Sequence, residues 1–174
     1  MKSPISTRLI VIGGSAGSLQ VIIEMIKNLD DNIHIPILLV IHRKAQSGDI
    51  LRTLLQQFTR ISVVEVEDKT QLEDNTIYIV PADYHLLFEN TKMMSLDSSE
   101  KMNYSRPSID VTFRSAAEIY GEDVIGVLLS GANADGVEGL NYIKKIMEKY
   151  GFRILNPQKW NTCPDMLWKK LIMI

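Results

Sequence analysis

Val11–Ser18 reads VIGGSAGS, between the apolar run RLIVI and the helically patterned LQVIIEMIKNL. A strand, a small-residue turn and a helix in this order support two different chemistries. The turn can cradle a nucleotide phosphate with backbone N–H groups, or it can present a serine nucleophile. Ser15 is the residue on which the two readings part.

A dinucleotide site asks for G-x-G-x-x-G and for an acidic residue closing the second strand. Here serines occupy the middle and final glycine positions, and the second apolar run, IPILLVIH, closes with His42. No Gly-Lys-Ser/Thr follows the turn, so it is not a P-loop. The turn therefore suits a nucleophile better than a phosphate.

Working outward, short β-branched runs alternate with helical patterns. Leu19, Ile22, Ile23 and Ile26 mark one face of a first helix, and GDILRTLLQQF is a second with Ile50, Leu51, Leu54, Leu55 and Phe58 inward. SVVEVED reads as a strand. TIYIVPAD, HLLFEN and KMMSLD are short extended pieces separated by turn residues, which predicts antiparallel pairing from Thr76 to Asp97. After Pro107, Ser108 is an N-cap for a helix that stops at Gly121. DVIGVLLSGANADG then repeats the opening pattern of strand and small-residue turn, and leads into the helix VEGLNYIKKIMEKYG. FRILNP predicts a last strand and CPDMLWKKLIM a last short helix. The expectation is a doubly wound α/β domain over 1–174, with a mostly parallel sheet, helices on both faces and an antiparallel extension.

Composition excludes several function classes. A formal net charge of −2 over 174 residues gives no basis for a nucleic-acid or anionic-membrane partner. The single cysteine, Cys163, rules out an internal disulfide framework and a cysteine-based metal site. No apolar run reaches about 18 residues, so no membrane insertion is expected, and a cytoplasmic location follows by default. No metal and no cofactor are expected.

In open α/β sheets, ligands bind outside the carboxyl ends of the strands. The three most polar ends here are GGSAGS, IHRKA and SGANADG, which supply Ser15, His42 and Asp135. An alcohol, an imidazole and a carboxylate are the set used for nucleophilic acyl transfer. Each also has a plain structural use: Ser15 as a helix cap, His42 as a strand end, Asp135 as half of an Asp-Gly turn. Their joint placement at equivalent strand ends favours the chemical reading. His34 reads as a surface residue. The order Ser, His, Asp differs from the Ser, acid, His order of the usual α/β-hydrolases.

That order, with IGGSAGS, VIHR, LLSGANADGVEGL, VPADYHLLF and RPSIDVTFRSAAEIYG around it, resembles the catalytic domain of the CheB-type chemotaxis protein-glutamate methylesterases. The resemblance runs from about Arg8 to Pro157. It implies a hydrolase of glutamate γ-methyl esters on methylated chemoreceptors that also deamidates certain glutamines. Ser15 would be the nucleophile, His42 the base and Asp135 the acid, with the backbone of Ala16 and Ala132 as oxyanion donors. His85 and Arg106 would border the substrate groove. Ser18 stands where the family has a glycine and Ala132 where it has a methionine. The family pattern also makes the C-terminus after ILNP short and puts no receiver domain ahead of Met1, so that regulation is absent, lost, or supplied by a separate chain. The alternative is a methylesterase-like domain that binds a signalling partner without turnover.

Overall fold

The computed structural model describes residues 8–44, 50–129 and 134–149. Along the chain these form β1 (Leu9–Ser15), α1 (Leu19–Lys27), β2 (Ile37–His42), α2 (Ile50–Gln56), β3 (Ser62–Glu65) and β4 (Thr76–Ile79). They continue with β5 (His85–Asn90), β6 (Met93–Asp97), α3 (Ile109–Tyr120), β7 (Val124–Leu128) and α4 (Val137–Lys149). Five strands make one sheet in the order β3-β4-β2-β1-β7, and every pairing in it is parallel.

The sheet is parallel because its strands are apolar on both faces, and the period-two alternation of side chains divides them between two helical layers. Leu9 and Val11 of β1, with Leu38 and Val40 of β2, join Phe113 and Ala116 of α3 and Ile143 of α4 in one core. Ile10, Ile12, Ile37 and Leu39 point the other way, onto Ile22 and Ile26 of α1 and Leu55 of α2. The doubly wound architecture expected from the sequence is the one observed. Ser108 caps α3, with its hydroxyl accepting from the Val111 N–H at 3.4 Å, and Gly121 ends the helix at a φ of 58°. His34 is exposed, as its polar surroundings suggested.

Two expectations are corrected. The extended stretch from Thr76 is not antiparallel: β4 inserts between β2 and β3 as a parallel strand, and the antiparallel hairpin is only β5–β6, a separate two-stranded sheet. The residues of TIYI are all buried, which suits a central strand and not an edge. Ile50 does not face inward. It is 62% exposed, and α2 buries only Leu55 fully. Ile50 is the first residue of α2 and lies at one edge of the apolar arc, so Leu51, Leu54, Leu55 and Phe58 pack against the core without it. The expected FRILNP strand and CPDMLWKKLIM helix lie outside the described residues, as does Ala132. Among the described residues, no helix is long and apolar enough to cross a membrane.

The chain places β2 on one side of β1 and β7 on the other, so strand order reverses at β1. A crevice opens where connections diverge in this way. Ser15 is the last residue of β1.

Core and surface positions should respond differently to truncation. Phe113→Ala, at a fully buried position, is expected to cost about 3–5 kcal/mol in urea unfolding. Ile50→Ala should stay within about 0.5 kcal/mol. Equal losses would contradict the layer assignment.

Candidate active site

The parallel register of β1 and β2 ends on the rung Ser15↔His42. Neighbouring strands lie about 4.8 Å apart, and residues on one rung project to the same face. Ser15 and His42 therefore stand side by side on the α3 face of the sheet, at its carboxyl edge. Ser15 is extended (φ −92°, ψ 174°), and its side chain makes no capping bond to the turn that follows. The cap reading of this serine fails on that observation. Ser18 instead tightens the turn, its buried hydroxyl donating to the Ser15 carbonyl at 2.6 Å. Ala16 opens a 3-10 turn (Ala16–Ser18) and is exposed. At the first position of a helical turn, its N–H has no acceptor within the turn.

Asp135 arrives from the other side. Its Oδ2 lies 2.7 Å from His42 Nε2, and its side chain has 0% exposure. The carboxylate also accepts from the Ser108 hydroxyl at 2.8 Å, the Ile109 N–H at 2.8 Å and the Asp110 N–H at 3.0 Å. The last two are orphan donors of the first turn of α3, where the helix dipole favours negative charge. Burial works against ionisation, but His42, the N–H groups of Asp110 and Ile109 and the Ser108 hydroxyl outweigh it, and the carboxyl is held down at about 2. An ionised Asp135 can only accept, so His42 Nε2 carries a hydrogen, and in the neutral ring Nδ1 keeps the lone pair.

Two glycines let these parts meet. A Cβ on Gly13 would lie 2.4 Å from Ile109 Cγ2, so a side chain there would push the start of α3 away from β1. Gly136, at a φ of 101°, turns the chain just after Asp135, and a Cβ there would meet Leu128 Cδ1 at 2.6 Å. Asp110 ties the two helix starts together: its Oδ1 accepts from the Gly139 N–H at 2.7 Å and its Oδ2 from Asn103 Nδ2 at 3.2 Å. Burial, with the Asp135 charge adding to it, pushes the Asp110 carboxyl above its ordinary range, although the N–H groups of Gly139 and Gly136 pull the other way.

His85 is not a groove residue. It is 1% exposed, its Nδ1 accepts from the Ser108 N–H at 3.1 Å, and its Nε2 donates to the Glu100 carbonyl at 3.0 Å. The ring is a strut between β5 and the start of α3, one step behind Asp135. Arg106 lines the cavity beside Ala16 and His42, with Nη1 donating to the Ser98 and Ser99 carbonyls at 2.7 Å each. Residue patterning missed the helix start Ser108–Asp110 as the seat of the acid. The local signal was an ordinary N-cap, and Asp135 is more than twenty residues away in sequence. Among the described residues, no group of three or more His, Cys, Asp or Glu side chains could hold a metal ion.

Comparison with known proteins gives a consistent result. The family model described as CheB methylesterase matches residues 10–152. A Leptospira interrogans protein named as a protein-glutamate methylesterase/protein-glutamine glutaminase is 40% identical over 146 residues, covering 84% of this chain and 74% of its own length. A Thermotoga maritima protein with the same activities in its name is 35% identical over 165 residues, 93% of this chain but 46% of its own length. The crystal structure of the Thermotoga maritima CheB methylesterase catalytic domain superposes with a TM-score of 0.76 at 34% identity, covering 82% of this chain and 77% of that one.

The Asp135 hydrogen bonds carry a stability signature. With the folded carboxyl at about 2 and an unfolded value near about 3.9, its stabilisation is complete above the unfolded value and is lost as pH falls through the folded one. Because the Asp135 charge helps to raise Asp110, Asp135 and Asp135→Asn are compared in an Asp110→Asn background, where the two proteins differ by the Asp135 carboxyl alone. Their difference in unfolding free energy is expected to shrink by about 2 kcal/mol between about pH 6 and about pH 2.5. A pH-independent difference would mean that Asp135 is not held ionised.

Proposed function

The chain belongs to the CheB methylesterase family, and from that premise we propose that it is a serine hydrolase of glutamate γ-methyl esters on a methylated chemoreceptor. The observation that carries the reading is the 2.7 Å bond from His42 Nε2 to a buried carboxylate. It sets the ring so that Nδ1 is the proton acceptor, on the rung that His42 shares with Ser15.

In this mechanism Ser15 Oγ attacks the γ-ester carbonyl while His42 Nδ1 takes its proton. Negative charge develops on the carbonyl oxygen, and the Ala16 N–H at the start of the turn is the donor this chain offers there. The resemblance adds Ala132 as a second donor. The protonated ring, stabilised by Asp135, returns its proton to the departing methoxide, and methanol leaves. Water then attacks the acyl-enzyme with His42 as base, releasing a glutamate carboxylate and restoring Ser15. An amide at the same position follows the same steps with ammonia leaving, which is the glutaminase activity named for the relatives.

The arrangement around Asp135 favours turnover over a binding-only domain, because its carboxylate bonds the imidazole that shares a rung with Ser15. Burying a carboxylate is costly unless it is fully hydrogen-bonded, and here its donors include the imidazole ring.

Methanol release from a methylated receptor tests the reading. Ser15→Ala is expected to lower it by several orders of magnitude with the fold intact, and Asp135→Asn by about 10³–10⁴-fold, because the asparagine amide favours the wrong ring tautomer. Turnover that survives Ser15→Ala would assign the chemistry to another group.

A further inference from the structure

We propose that the cavity beside His42 seats an acidic, amphipathic segment of the substrate protein, with Tyr104 as the specificity-determining contact. The proposal rests on the hydrolase reading above and extends it from the reacting ester to its neighbours.

The cavity has a volume of about 780 Å³ and is lined by Ala16, next to Ser15 in the chain, and by His42, on the rung of Ser15, so a segment lying across it can deliver a side chain to Ser15. One wall is apolar, from Ile50, Leu51 and Leu54 of α2. Ile50 is 62% exposed there and makes no contribution to either core. Among the described residues, the cavity's charged side chains are four cations, Arg43, Lys44, Lys101 and Arg106, against one carboxylate, Asp83. This excess is local, since the chain as a whole carries a formal charge of −2. Arg43 is paired with Glu65, and Arg106 is engaged by backbone carbonyls. Lys44 and Lys101 are exposed and have no ion pair among the described residues. They are the positive charges that remain available to a partner.

Tyr104 stands at the rim of this cavity with 99% of its surface exposed. It occupies a two-residue hairpin turn closed by Met102 N–H to the Ser105 carbonyl at 3.2 Å and by the reverse bond at 2.9 Å. Asn103 and Tyr104 both have positive φ, 50° and 62°. Asparagine tolerates that region, but a bulky side chain at the second position does not favour it, and glycine is the residue such a turn prefers. The ring therefore sits where it strains the backbone and packs on nothing in the fold. Strain of this kind collects at functional sites. The turn is also fixed relative to the chemistry. Asn103 Nδ2 donates to Asp110, whose own N–H donates to Asp135. An apolar stripe on the substrate would lie between Tyr104 and α2, and its acidic flanks would meet Lys44 and Lys101.

The test uses the full chain and a synthetic amphipathic peptide bearing one glutamate γ-methyl ester flanked by leucines and glutamates. A second peptide has the flanking glutamates replaced by alanine. Kd is measured in the Ser15→Ala background, and KM and kcat with Ser15 present. Tyr104→Gly is expected to raise Kd and KM about tenfold, to keep kcat within about twofold, and to lower Tm not at all. Tyr104→Phe should remain close to wild type. Lys44→Glu with Lys101→Glu should weaken the acidic peptide about tenfold and the alanine peptide little. Unchanged Kd and KM in Tyr104→Gly overturn the proposal, as does a loss confined to kcat, which would place Tyr104 in the support of Asp135. Peptide binding that depends on Tyr104 without any turnover by the wild type upholds the docking surface and overturns the hydrolase reading instead.

Discussion

Asp135 is a carboxylate without exposed side-chain surface, seated on the first turn of α3. Taking such a charge out of water costs several kcal/mol unless its lone pairs are filled. Here they are filled by donors that had few other uses: the orphan N–H groups of Ile109 and Asp110, the capping hydroxyl of Ser108 and the ring of His42. The cost of burial is thus met by groups that a helix start leaves unpaired in any case. The same bonds fix Asp135, just ahead of α4, against α3, and through His42 against the end of β2. Removing the charge would release three elements at once.

The geometry upstream of that bond follows from glycine placement and strand register. Gly13 lets Ile109 approach β1 closely enough for the helix start to reach Asp135. The β1–β2 register ends on the Ser15↔His42 rung, so no loop has to bring those two residues together. His85 stands behind the assembly and receives the Ser108 N–H. It holds the residue that holds the acid, which is why an imidazole so near the site has no access to substrate.

Much of this was legible in the chain. Ser15, His42 and Asp135 each close a strand or follow one, and strand ends in a parallel sheet share an edge by construction. The alternation of apolar residues also gave the two-layered sheet. What the sequence did not show lies in pairings between distant segments. Nothing in TIYI distinguishes a parallel central strand from one leg of an antiparallel meander, because both are buried apolar runs. Ile50 begins a helical pattern like any core residue, but as the first residue of α2, at the edge of its apolar arc, it stays exposed. The PADYH loop gave no sign that His85 would be covered by the segment from Glu100 to Ser108. The Asn103–Tyr104 turn carries no glycine and so escapes the usual hairpin signature, yet its backbone adopts that conformation.

The account centres on a ring tautomer: an ionised Asp135 holds the hydrogen on His42 Nε2 and leaves Nδ1 free to take the Ser15 proton. Nitrogen-15 NMR of the two His42 ring nitrogens, at a pH where the ring is neutral, reads this directly. The account predicts a protonated Nε2 and an unprotonated Nδ1 in the wild type, with that preference lost in Asp135→Asn. A hydrogen on Nδ1 in the wild type, or the same tautomer with and without the Asp135 charge, would contradict it.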